Sequence, residues 1–71
     1  MSFIKVTALS AHQERTEISV RGDMIAVVGD RSNDVNYPTA KSEIFVVGSG
    51  NVSWVLENSV EEVTNLINEV I

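Results

Sequence analysis

Asp30, Ser32 and Asp34 occupy alternate positions in the stretch "DRSND", the spacing with which a calcium-binding loop begins. Such a loop also needs a glycine at its sixth position, for the sharp turn, and a bidentate glutamate at its twelfth. Val35 and Lys41 stand there instead, so no metal is expected. The single histidine, His12, lies in a polar stretch beside Gln13 and Glu14. A general base needs a nucleophile or substrate proton within reach and a group to orient it. Nothing near His12 in the sequence supplies either, and a solvated turn imidazole is the simpler reading. "VGSGN" (47–51) holds two glycines, but no helix opens after it and no Lys-Ser/Thr pair follows. A phosphate cradle needs amides converging at a helix N-terminus, so a hairpin turn is expected. With no paired acid and base and no ligand set, neither an enzyme nor a cofactor is expected.

Chemistry of recognition is the better prospect. Arg31, Asp34 and Tyr37 crowd one segment rich in Asp, Asn and Ser, and are candidates for contact with a partner. Trp54 is the only tryptophan, a residue type enriched at interface hot spots. It alternates with Val52 and Leu56, so it faces outward, into another subunit, if Val55 faces the core; a plain core tryptophan is the equal alternative. Glu57, Glu61, Glu62 and Glu69 gather near the C-terminus, where carboxylates could imitate nucleic-acid phosphates toward a basic protein. Arg21-Gly22-Asp23 matches an adhesion tripeptide, but its glycine and aspartate are ordinary turn formers.

The elements that must position these residues follow from hydrophobic period. "FIKVTAL" (3–9) and "RTEISV" (15–20) alternate with period two and predict two strands joined as a hairpin. "MIAVV" (24–28) and "IFVV" (44–47) are apolar at every position, which predicts strands covered on both faces. Between them, 29–42 reads as a long working loop. Gly48-Ser49-Gly50-Asn51 then predicts a tight turn into a fifth strand, "VSWVL" (52–56). After it the period lengthens: Val60, Val63, Ile67 and Val70 mark the apolar stripe of a helix. Asn58 or Ser59 is its N-cap, Ser59 and Glu62 form a capping box, and Glu61 and Glu62 suit the helix dipole.

Composition bounds what this architecture can do. A chain of 71 residues without cysteine has no disulfide to staple it, and buries only about 60% of its unfolded surface. Its net charge of −5 opposes phosphate tracking along nucleic acid. No apolar run approaches the roughly 20 residues of a membrane span, and "MSFIKVTALS" shows no secretory pattern, so a cytoplasmic location is expected. One thin helix covers one face of a sheet, so two doubly apolar strands predict a homo-oligomer.

Three short motifs carry a family resemblance. Ile4-Lys5-Val6-Thr7, Asp23-Met24-Ile25 and Ser59-Val60-Glu61-Glu62-Val63 occur in the order found in the small FlbD-like proteins, which are associated with flagellar operons and have short relatives in phages and mobile elements. Asn58 stands where that family typically has glutamate. The resemblance implies no catalytic residues.

The expectation is therefore one α+β domain: about five antiparallel strands with a C-terminal helix on one face. The expected function is a non-enzymatic protein–protein interaction or regulatory module, self-associating through an apolar sheet face and using the 29–42 loop for contacts. The alternative is a phage-type acidic inhibitor of a basic host protein surface.

Overall fold

A computed structural model describes residues 3–48 and 50–70. Five strands, β1 (Phe3–Leu9), β2 (Arg15–Arg21), β3 (Ile25–Asp30), β4 (Ser42–Val46) and β5 (Val52–Leu56), precede one helix, α1 (Val60–Val70). They form a single antiparallel sheet in the order β2–β1–β5–β4–β3, the expected α+β fold. The alternation of β1 and β2 becomes a regular ladder from Phe3↔Arg21 to Leu9↔Arg15. Their turn is closed by Ser10, whose hydroxyl accepts the amides of His12 and Glu14, each at 3.2 Å. Gln13 takes the left-handed conformation there, with φ of 65°.

The connection from β2 to β3 decides the shape of the sheet. These are its two edge strands, yet only a 3-10 turn, Gly22–Met24, separates them. Four Cα steps reach at most about 15 Å. Five flat strands would place the edges about 19 Å apart, and a 3-10 turn shortens the chain further. The sheet must therefore curl until its edges approach one another. Helix α1 then packs on the concave side against β1, β3 and the 3-10 turn. The core lies between them: Ile4, Val6, Ala8, Val20, Ile44, Leu56 and Val63 are buried, with Leu66, Ile67 and Val70 packed around them.

A small hydrogen-bond hub explains how β5 turns into α1. Glu57 donates its amide to Thr7 O at 2.9 Å, continuing the ladder between β1 and β5 by one residue. The Asn58 side chain then accepts the Thr7 amide at 2.7 Å, and the Asn58 carbonyl accepts the buried Ser42 hydroxyl at 2.6 Å. Ser59 is the N-cap, its hydroxyl accepting the Glu62 amide at 3.1 Å. The expected capping box is only half formed. Glu62 spends its carboxylate on Asn58 Nδ2, at 2.6 Å, rather than on the Ser59 amide.

On the outer side of β3 and β4, Val27 is 58% and Phe45 39% exposed within one chain, so the cover expected on that face is not supplied by the chain's own residues. Their inner neighbours Val28 and Ile44 feed the core, whereas farther along the convex face Leu9 is buried. One expectation needs correction: the loop is shorter than 29–42. Gly29↔Glu43 and Asp30↔Ser42 are paired strand residues, and only 31–41 lie outside the ladder. Gly29 does not break the strand because the Glu43 side chain lies across it, 3.4 Å from where a Cβ would stand. The turn between β4 and β5 includes Ser49, which lies outside the described residues; Gly48 beside it has φ of 149°, a conformation that favours glycine.

Candidate protein-interaction site

The loop 31–41 folds as three successive turns, in which the amides of Asp34, Tyr37 and Ala40 bond to the carbonyls of Arg31, Asp34 and Tyr37. Aspartate side chains reinforce them: Asp30 accepts the Ser32 amide and Asp34 the Asn36 amide, both at 2.8 Å. Such local side-chain bonds are what Asp favours over regular structure. Arg31 ties the loop to the sheet. Its Nε donates to Asp34 at 2.6 Å and its Nη1 to Glu43 on β4 at 2.5 Å, while its guanidinium lies 5.8 Å from the Tyr37 ring centre. At the far end, Ala40 is buried and the Lys41 amide donates to Leu56 O at 2.9 Å. The Gln13 side chain donates to Asn36 O, joining the β1–β2 turn to the loop.

Electrostatics follow this geometry. The Arg31 hydrogen bond, helped by the Asn36 amide, holds Asp34 below the usual carboxylate range, and Asp34 and Glu43 raise Arg31. The Ser32 hydroxyl and amide lower Asp30. Glu57 is lowered by the Thr39 hydroxyl and by Arg15, whose Nε lies 2.9 Å away. Arg31, Asp34 and Tyr37 thus lie together. Arg31 and Asp34, however, are engaged with one another and not presented outward. What the loop shows is half-buried Tyr37 and, at its tip, Val35, which is 90% exposed.

Of the two faces the sequence leaves open to Trp54, it takes the concave one. It pairs with Ile44, and Val52 pairs with Val46, so Trp54 shares the concave face with core residues Ile44 and Leu56. Still it is 37% exposed, and α1 makes its main contacts with β1, β3 and the 3-10 turn and not with β5. Trp54 and Val52 instead border a groove of about 360 Å³ that opens between β2 and the β4–β5 hairpin.

The convex face carries the second apolar surface. Val27 and Phe45 are cross-strand partners, Ser53 continues the row, and all three line a shallow groove of about 350 Å³ with Glu43 and Ile44. Val27 and Phe45 were not singled out from the sequence. Their signal was there, as alternate members of two runs whose other members are core residues. Glu43 was missed as well, and Asn58 was seen only as a candidate N-cap, since Arg31, Thr7 and Ser42, which they bond, are distant in sequence.

The remaining candidates are placed as follows. Arg21 and Asp23 pair at 2.7 Å across the 3-10 turn, which lowers Asp23, so this tripeptide neutralises itself. His12 is exposed in its turn. Glu61 and Glu69 are exposed on α1, whereas Glu57 is paired with Arg15 and Glu62 bonded to Asn58, which thins the carboxylate array. Among the described residues no three His, Cys, Asp or Glu side chains gather closely enough to hold a metal ion, and no helix is long and apolar enough to cross a membrane. No family model, no curated protein and no solved structure matches this chain.

Proposed function

We propose that this protein is a small, non-enzymatic protein–protein interaction module of the cytoplasm that assembles with a second copy through the convex face of its sheet. The supporting observation is the cross-strand pair Val27–Phe45, two large apolar side chains that stand side by side on the β3–β4 ladder and are 58% and 39% exposed. The resemblance to FlbD-like proteins, which implies no catalytic residues, agrees with this reading. Polar charge is kept off the row itself, with Ser53 beside Phe45 and the nearest carboxylate, Glu43, bound to Arg31.

Magnitude sets the character of the assembly. Fully burying a Val or Phe side chain is worth about 1.5–3 kcal/mol. Roughly half of that remains to be gained at Val27 and Phe45, hence about 4 kcal/mol over two copies. Association itself costs 4 kcal/mol or more (about 4–15) in lost freedom. The pair alone therefore only offsets the smallest of these costs, and millimolar self-association, about −4 kcal/mol net, draws at least as much again from the rest of the convex face. The loop contributes its exposed tip, Val35, and half-buried Tyr37 to a heterologous partner. Light scattering at increasing concentration tests the proposal. Apparent mass should rise for the wild type and stay at the monomer value for Phe45→Glu. A wild type that stays monomeric up to millimolar concentration rules it out.

A further inference from the structure

The groove beside Trp54 is lined by Ile18, Ser19, Val20 and Arg21, four consecutive residues of β2. Alternate residues of a strand point to opposite faces. A surface bounded by all four in succession therefore runs along the strand's edge, where main-chain N–H and C=O groups lie, and not over one face. Among the described residues, β2 has β1 on one side and no strand on the other. Its ladder is unbroken over seven pairs, so its free edge carries no bulge. The opposite edge, β3, is interrupted by a register shift between Ile25 and Val27, the kind of bulge that blunts an edge against pairing. Charged residues guard the first half of β2, at Arg15 and Glu17, but Ile18-Ser19-Val20 carries none. Arg21, at the end, is already paired with Asp23.

We infer that this edge and groove form a docking site for an extended segment of another protein, which adds as a strand to β2 and sets alternate apolar side chains against Trp54, Val52, Val46 and Met24. The occupant's conformation follows from the edge: a row of unpaired main-chain groups is matched by an extended backbone, as in β-strand addition, and poorly by a helix that has satisfied its own. Its pattern follows from the period of two, which directs every second residue into the groove. About 360 Å³ lies at the small end of ligand clefts, room for a short side-chain series and no more. Its charge follows from the chain's net −5, which favours a segment with basic flanking residues. This site is separate from the convex face, since Trp54 and Phe45 lie on opposite sides of the sheet.

The test is a selection of displayed random seven-residue peptides on the folded full chain, followed by synthesis of the enriched sequence. Binding is read by titration with fluorescence of Trp54, the only tryptophan, and by hydrogen exchange of the β2 amides. Enrichment of alternating apolar residues with Lys or Arg flanks is expected. N-methylation of alternate peptide amides should abolish binding, and β2 amides should gain protection. Trp54→Ala should weaken binding at least tenfold; Val52→Lys, at a position 44% exposed, does the same work if Trp54→Ala fails to fold. Failure to enrich any peptide overturns the inference. So does enrichment of peptides that bind both variants as well as wild type, or of peptides that bind as helices. Loss of self-association in Val52→Lys would show that a second copy fills the groove, and would also overturn it.

Discussion

Replacing Asn58 with alanine removes the acceptor of the Thr7 amide, 2.7 Å away, at the point where β5 leaves β1. No other strand stands beside that amide, because the chain departs there into α1. A partly buried donor left without its partner costs about 1–3 kcal/mol. The same change frees the Glu62 carboxylate from Asn58 Nδ2, an exposed bond that adds little. The Ser42 hydroxyl is spared, since it bonds the Asn58 backbone carbonyl. A domain of this size has a total stability of about 4–11 kcal/mol, so the loss is a large share of it. The midpoint of thermal unfolding should fall by about 5–20 °C, at 4–8 °C per kcal/mol. Asn58→Asp keeps an acceptor for Thr7 and should recover part of the loss while its carboxylate is ionised. Denaturant unfolding followed by Trp54 fluorescence and far-ultraviolet dichroism measures both. Asn58→Ala within about 0.5 kcal/mol of wild type, the range of an ordinary surface change, would refute the hub as the junction of sheet and helix.

Other consequences are measurable on the same protein. Leu56→Ala, at a fully buried position, should cost about 2–5 kcal/mol, whereas Val35→Ser at the loop tip should stay within about 0.5 kcal/mol by equilibrium unfolding. Arg31→Ala should speed proteolysis and hydrogen exchange in 31–41 without lowering the unfolding midpoint of the sheet in proportion. Arg31→Lys should restore this only in part, since one ammonium cannot reproduce the fork to Asp34 and Glu43. Acid should loosen the same loop. Asp30, Asp34 and Glu57 are all held below their ordinary values of 3.8 and 4.5. Depressed carboxylates lend stability that is complete above the unfolded values and is lost as pH falls through the folded ones. Loop exchange rates corrected for intrinsic pH dependence should therefore be flat near neutrality and rise below about pH 4. A rise already between pH 6 and 8 would contradict this.

Much of the fold was legible in the chain because its local signals agree with one another. Alternation in β1 and β2, the stripe of α1 and the Ser59 cap each appear where the pattern places them. What was hidden depends on register. A run such as "MIAVV" reads the same whether its outer residues are covered or bare, because apolar period cannot show the absence of a layer. The face of Trp54 stayed open for a related reason: only the pairing Ser42↔Leu56 sets Leu56, and with it Trp54, on the concave side. The curl of the sheet was likewise invisible until strand order showed that three residues join its two edges. In the loop, Arg31, Asp34 and Tyr37 lie together, and the Arg31–Asp34 pair is local in sequence. The second partner of Arg31, Glu43, was hidden because only the β3–β4 ladder brings it alongside Gly29.

The most direct measurement is a dilution series followed by nuclear magnetic resonance, reading the methyl signals of Val27, the ring signals of Phe45 and, as internal control, the methyls of Val35. Assembly of two copies on the convex face requires the Val27 and Phe45 signals to shift together along one binding curve while Val35 stays fixed. Signals from Val27 and Phe45 that do not move between micromolar and millimolar protein, or a shift confined to Trp54 and Val52, would contradict it.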